Sequence, residues 1–116
     1  MANFALTCGG RPLAGRTRKA DNLLSRFMGL MGRKGLDEGE ALYIAPCSSI
    51  HTFFMRFPID VAFVDRENRV VKVAEAVKPW RVLMGAKGAH AVVELSAGSL
   101  GRAGVADGDQ LELQPA

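Results

Sequence analysis

Cysteine is scarce. Cys8 and Cys47 are the only two in 116 residues, so at most one bridge could form, and a disulfide framework is excluded as the source of stability. No C-x-x-C pair occurs, and with only two histidines besides the chain is too poor in ligands for a structural zinc module, so neither a metal nor another cofactor is expected. Long apolar runs are missing too: the longest, Ala41 to Ala45, is five residues, whereas a membrane-spanning helix needs about 20. No membrane partner is expected. The first residues lack the basic patch and apolar stretch of a secretory signal, which makes the cytoplasm the expected compartment. Charge of one sign is not in large excess. Fifteen Lys and Arg against twelve Asp and Glu leave +3, which argues against nucleic acid as an obligate partner.

What is present is an ordinary globular composition, 48% hydrophobic and 23% charged, in a length that holds one domain, 1–116, and no second core. The charges are unevenly spread. Residues 1–35 carry seven basic side chains and a single acid, Asp21, while 36–116 carry eight basic and eleven acidic ones. The basic third, with Arg11, Arg16, Arg18, Lys19, Arg33 and Lys34, could attract phosphates, or it could be a solvated surface complementing acids elsewhere in the fold.

The hydrophobic pattern predicts a first strand near Asn3 to Cys8 and then a turn and exposed loop from Gly9 to Lys19. From Asp21, a plausible N-cap, apolar residues recur at three- and four-residue steps, predicting one early amphipathic helix over about 21–32 that stops at Gly32 and Gly35. Beyond it the period falls towards two. Strands are predicted at Ala41 to Ala45, Ile50 to Phe57, Ile59 to Asp65, Val70 to Val77, Arg81 to Met84, His90 to Leu95 and Gln110 to Leu113, with one turn of helix in Ser96 to Arg102. The Arg66 to Arg69 connection makes the third and fourth of these an antiparallel pair. Short strands with one helix indicate a mainly β fold, a sandwich or a barrel-like sheet.

Alternation in strands assigns faces without coordinates. Asp60 would share a face with Ala62 and Val64, opposite Ile59, Val61 and Phe63, and a carboxylate on so apolar a face needs a partner. Arg56, His51 or backbone amides near Pro58 could supply one. In an extended 50–57 segment both faces are mostly apolar or aromatic, so one of them could line a groove. Glu94 lies on a face with Val92 and His90. A Cys47 thiol could be activated by His51 if Ser48 and Ser49 form a turn, although a buried, inert thiol fits the same residues.

Taken together, Arg26-Phe-Met-Gly-Leu-Met-Gly-Arg33, Ser49-Ile-His-Thr-Phe-Phe-Met-Arg-Phe-Pro-Ile-Asp60, Glu94-Leu-Ser-Ala-Gly98 and Gly108-Asp109 closely resemble the family called domain of unknown function 192, over about Leu6 to Leu113. The resemblance implies a compact, mainly β fold of sandwich type and brings no activity with it. It ranks Arg26, His51, Thr52, Met55, Asp60, Glu94 and Gly98 as motif positions. Many relatives have an aromatic-Trp-Met-Lys-Asn-Thr segment where this chain has Phe53 to Pro58, which places it in an Ile-His-Thr branch.

The expectation is a small β domain that binds a small molecule or peptide in a groove lined by the 50–57 strand, through Arg26, His51, Thr52, Met55, Arg56, Asp60 and Glu94. An enzyme using Cys47 with His51, or a His–carboxylate pair, is the first alternative. A nucleic-acid accessory using the basic third is the second. Oligomeric state is left open by the sequence.

Overall fold

The structure, a computed structural model, describes residues 3–20 and 33–116. The helix expected over 21–32, and Arg26 with it, lies outside the described residues.

The described chain is mainly β. Its elements are β1 (Asn3–Cys8), β2 (Arg11–Ala20), β3 (Glu40–Ile44), β4 (Ser49–His51), β5 (Ile59–Val64), β6 (Val70–Val77), β7 (Val82–Met84), β8 (Ala91–Ser96), a short helix α1 (Ser99–Ala103), and β9 (Leu111–Pro115). Seven strands form one sheet in the order β6-β5-β8-β3-β2-β1-β9, while β4 and β7 form a separate antiparallel ribbon. The β5–β6 pair is antiparallel, as its polar connection predicts. β2 and β3 are the parallel neighbours. The sheet curls until its two edge strands touch at one end only: Arg69, just before β6, bridges Gln110, just before β9, and Val70 N–H donates to the Asp109 carbonyl at 2.8 Å. The result is a half-barrel and not two stacked sheets.

β2 corrects the sequence reading, which made 9–19 a loop. Gly9 and Gly10 both have positive φ, 58° and 78°, and join Cys8 to its partner Arg11 as a two-residue hairpin that only glycine-like residues adopt cheaply. The strand is hard to see because its buried residues, Ala14, Thr17 and Ala20, are small and lie among four cations. The expected 50–57 strand is corrected as well. Extended pairing ends at His51, Met55 N–H closes a turn onto the Thr52 carbonyl at 3.3 Å, and Phe54 has φ 65°. Two aromatics in sequence suggested a strand where hydrogen bonds to Thr52 impose a turn.

The central strands are apolar on both faces. All seven strands of the sheet and α1 enclose an inner core that includes Leu6, Ala14, Ala41, Ala62, Val64, Val70, Val93, Leu95, Leu100 and Leu111. On the outer face Leu42, Ile44, Ile59, Val61, Phe63 and Val92 form a second core, closed over by Ile50, Met55 and, partly buried, Leu83. Burying β5 completely, 0% exposed at Ile59, Val61, Ala62, Phe63 and Val64, contributes roughly 1.5–3 kcal/mol for each large side chain. The ribbon is therefore a lid on the outer core. It is held there by Cys47 N–H to the His90 carbonyl and by Lys72 Nζ of β6 to the Met84 carbonyl, both at 2.7 Å. Among the described residues no helix is long and apolar enough to cross a membrane.

Candidate functional site

The polar residues singled out by the sequence separate onto different sides of the sheet. Asp60 faces the inner core with Ala62 and Val64. It is fully buried and accepts three backbone N–H groups: Ala76 on Oδ1 at 2.9 Å, and Gly98 and Leu100 on Oδ2 at 3.0 Å each. The first donor belongs to a bulge, since Ile59 pairs Val77 but Val61 pairs Ala74, leaving Glu75 and Ala76 opposite one residue. The other two are orphan amides at the start of α1. Asp60 therefore ties β5, the β6 bulge and α1 together, using backbone partners rather than Arg56 or His51.

Glu94 points the other way, to the outer face with Val92, between its cross-strand partners Leu42 and Val61. It is 4% exposed, and its buried Oε1 has no hydrogen-bond partner among the described residues. Burial among aliphatics raises its pKa to about 7. Asp60 and Glu94 thus share no concavity. Met55 is 5% exposed and packs into the outer core, while Arg56 is exposed.

His51 ends β4, half-buried, with Nδ1 accepting the Phe53 N–H at 3.2 Å, which places the ring proton on Nε2. Cys47 Sγ donates to the Ser49 carbonyl at 2.9 Å. Each group of the alternative thiol–imidazole pair therefore makes a hydrogen bond to the main chain. Among the described residues no three His, Cys, Asp or Glu side chains gather as metal ligands would.

A surface that sequence reasoning did not assemble forms around Thr52. This threonine is 0% exposed. Its Oγ1 donates to the Lys78 carbonyl at 2.7 Å and accepts the Arg81 N–H at 2.8 Å. Its own N–H donates to the Arg81 carbonyl at 2.8 Å, and its carbonyl accepts Trp80 N–H at 3.0 Å. One buried residue thereby locks the turn after β4 to the turn before β7. Those turns carry the aromatics. Phe53 lies between His51, 5.0 Å away centroid to centroid, and Trp80, at 5.6 Å, and Phe54 meets Trp80 edge-on at 4.9 Å. Phe54 and Trp80 are nonetheless 60% and 57% exposed, and Val82 and Met84 on β7 are both 63% exposed.

Phe54 and Trp80 each have φ 65°, a conformation that costs a bulky L-residue of order 1–3 kcal/mol and persists only when the surroundings enforce it. Here the Thr52 network enforces it, and the outcome is apolar rings turned into solvent. Beside them runs an open groove of about 400 Å³ lined by Ala76, Val77, Lys78, Arg81, Val82 and Leu83. Charge is one-sided: segments 46–58 and 78–90 contain Arg56, Lys78, Arg81 and Lys87 and no Asp or Glu. A second hollow, of about 200 Å³, lies at the start of α1 against Pro12, Leu13, Glu38 and Arg102. Glu94 lines neither.

The model of domain of unknown function 192, described as Uncharacterized ACR, matches residues 5–113. A UPF0127 protein of Pyrococcus furiosus is 34% identical over 108 residues, 89% of this chain and 90% of its own length. A UPF0127 protein of Pyrococcus abyssi is 38% identical over 104 residues, 84% and 86% of the two lengths. The crystal structure of a protein of unknown function from Novosphingobium aromaticivorans superposes with a TM-score of 0.81 at 26% identity, covering 93% of this chain and 83% of that one.

Proposed function

This chain belongs to domain of unknown function 192, a family of uncharacterised proteins, and from that premise we propose that it is a binding module that takes a peptide on the face formed by the β4–β7 ribbon. The observation that carries the reading is the pair of aromatic residues at positive φ, Phe54 and Trp80, both more than half exposed. A fold that only needed to be stable would turn these rings inward and relax their backbone; strain retained at an exposed aromatic cluster is a signature of a surface shaped for contact. Trp, with Phe beside it, supplies large rigid contact area at little entropic cost. The groove alongside is open rather than enclosed, which suits an extended chain better than a small molecule engulfed on most sides.

The reading is tested by selecting from a displayed library of random twelve-residue peptides on the native protein, then measuring each selected peptide on native protein, Trp80→Ala and Phe54→Ala. Recurrent peptides that lose at least tenfold in affinity on Trp80→Ala, with intrinsic Trp80 fluorescence shifting on binding to native protein, support it. Absence of any recurrent peptide, or equal binding to both variants, refutes it.

A further inference from the structure

We infer that the outer edge of β7 is a docking edge for an extended, acidic segment of a partner protein, which adds to the ribbon as a third strand. This rests on the recognition reading above and names its partner chemistry.

The polar groups of the β7 backbone point alternately towards β4 and away from it. In the β4–β7 register Ser49 faces Met84, Ile50 faces Leu83 and His51 faces Val82. Just beyond, Thr52 N–H donates to the Arg81 carbonyl and Gly85 N–H to the Ser48 carbonyl, both at 2.8 Å. Hydrogen-bonded positions alternate in an antiparallel pair, so 81, 83 and 85 turn their polar groups to β4, whereas Val82 and Met84 turn theirs away. On that side no strand pairs with β7 among the described residues. One of the groups there is already answered: Lys72 Nζ donates to the Met84 carbonyl at 2.7 Å. At Val82 no hydrogen bond answers the edge among the described residues, and it is Val82 that lines the groove.

An edge with unpaired amides and exposed apolar side chains is a template for another strand. Val82 and Met84, on one face of β7 and both 63% exposed, offer alternate side chains the contact that such a strand would make. Charge specifies the rest. The groove walls bring Lys78 and Arg81, Lys72 sits at the far end of the edge, and the two segments that form the ribbon and its turns hold four cations without one acid. The rest of the chain holds all twelve acids. An incoming segment with carboxylates alternating with β-branched residues would place the former against these cations and the latter against Val82, Met84 and Trp80. Like charges at such an edge would be rejected.

The experiment uses the full chain and two acetylated, amidated octapeptides, alternating Glu-Val and alternating Lys-Val, followed by Trp80 fluorescence and by hydrogen exchange of the Val82 amide. The Glu-Val peptide is expected to bind at least tenfold more tightly than Lys-Val and to slow Val82 exchange at least tenfold. Val82→Pro removes the outward N–H without touching the ladder to β4 and should weaken binding at least tenfold, while Val82→Thr, which keeps the N–H, should not. Should Val82→Pro fail to fold, N-methylation of alternate residues of the Glu-Val peptide blocks the same pairing from the other partner and should cost the same tenfold. Binding that survives both blocks, without slowed exchange at Val82, overturns strand addition while leaving the aromatic surface standing. Failure of both octapeptides, when Trp80-dependent peptides emerge from the random library, overturns it as well. Only if that library also yields nothing does the recognition reading fall with it.

Discussion

Among the described residues, Glu94 has the largest titration consequence. Its carboxyl is enclosed by apolar groups and holds its proton to about pH 7 in the fold, against a value near 4.5 when unfolded. Below pH 4.5 both states carry the proton and Glu94 contributes no pH dependence. Between 4.5 and 7 the unfolded chain has released a proton that the fold retains, so stability falls as pH rises, by about 3 kcal/mol in all, and levels off above 7. Glu94→Gln removes the titration: the stability difference between variant and native protein, followed by urea unfolding from pH 4.5 to 8, should grow in favour of the variant by about that amount. A flat difference would show that Glu94 finds a charge-stabilising partner. Asp60 is also fully buried, and its two oxygens accept three backbone N–H groups. Asp60→Asn keeps the shape but turns an amide N–H₂ towards at least one backbone donor, leaving it unsatisfied. The expected loss is about 1–3 kcal/mol, read as a lower denaturant midpoint with an unchanged slope.

At the level of elements, the ribbon depends on close approach to the sheet beneath it. A Cβ on Gly85 would stand 2.7 Å from Ala89 Cβ, 2.8 Å from the Ser48 carbonyl oxygen and 2.9 Å from Phe63 Cδ1. None of the three is the end of a flexible chain, so Gly85→Ala must push the ribbon off the outer core and should cost about 1–3 kcal/mol. Thermal unfolding measures the loss, and peptide binding should weaken with it. The strands were legible wherever apolar residues alternate or run together: β1, β3, β5, β6, β8 and β9 lie within a residue or two of their sequence positions. The two faces of β5, Ile59, Val61 and Phe63 against Asp60, Ala62 and Val64, are those expected from period two. β2 was hidden because its inward residues are small and its outward ones charged. The candidate surface was hidden for a different reason. It depends on Thr52 reaching across 26 residues to Lys78, and no local pattern announces a turn made by a contact that distant. Phe53, Phe54 and Trp80 look like core material until that contact turns them round.

Across the whole molecule, stability should be graded. The inner core draws on every strand of the large sheet and on α1, whereas the ribbon's pairing is three residues long on each strand. Short pairing and little enclosed apolar area mean a low local opening energy. Native-state hydrogen exchange should therefore find the amides of β5 and β8 opening only with global unfolding, and those of β4 and β7 opening several kcal/mol earlier. Equal protection in both groups would mean that the ribbon and the half-barrel unfold as one cooperative unit.

The ribbon's dependence on Thr52 has a further consequence. Thr52 couples the two turns through its hydroxyl as well as its main chain: Thr52→Val keeps the volume and both main-chain bonds but leaves the Lys78 carbonyl and the Arg81 N–H without their Oγ1 partner, and should loosen the strained poses of Phe54 and Trp80. On the proposed reading such a variant should lose peptide affinity, and with its fold checked by circular dichroism it would serve as the control for the peptide selection.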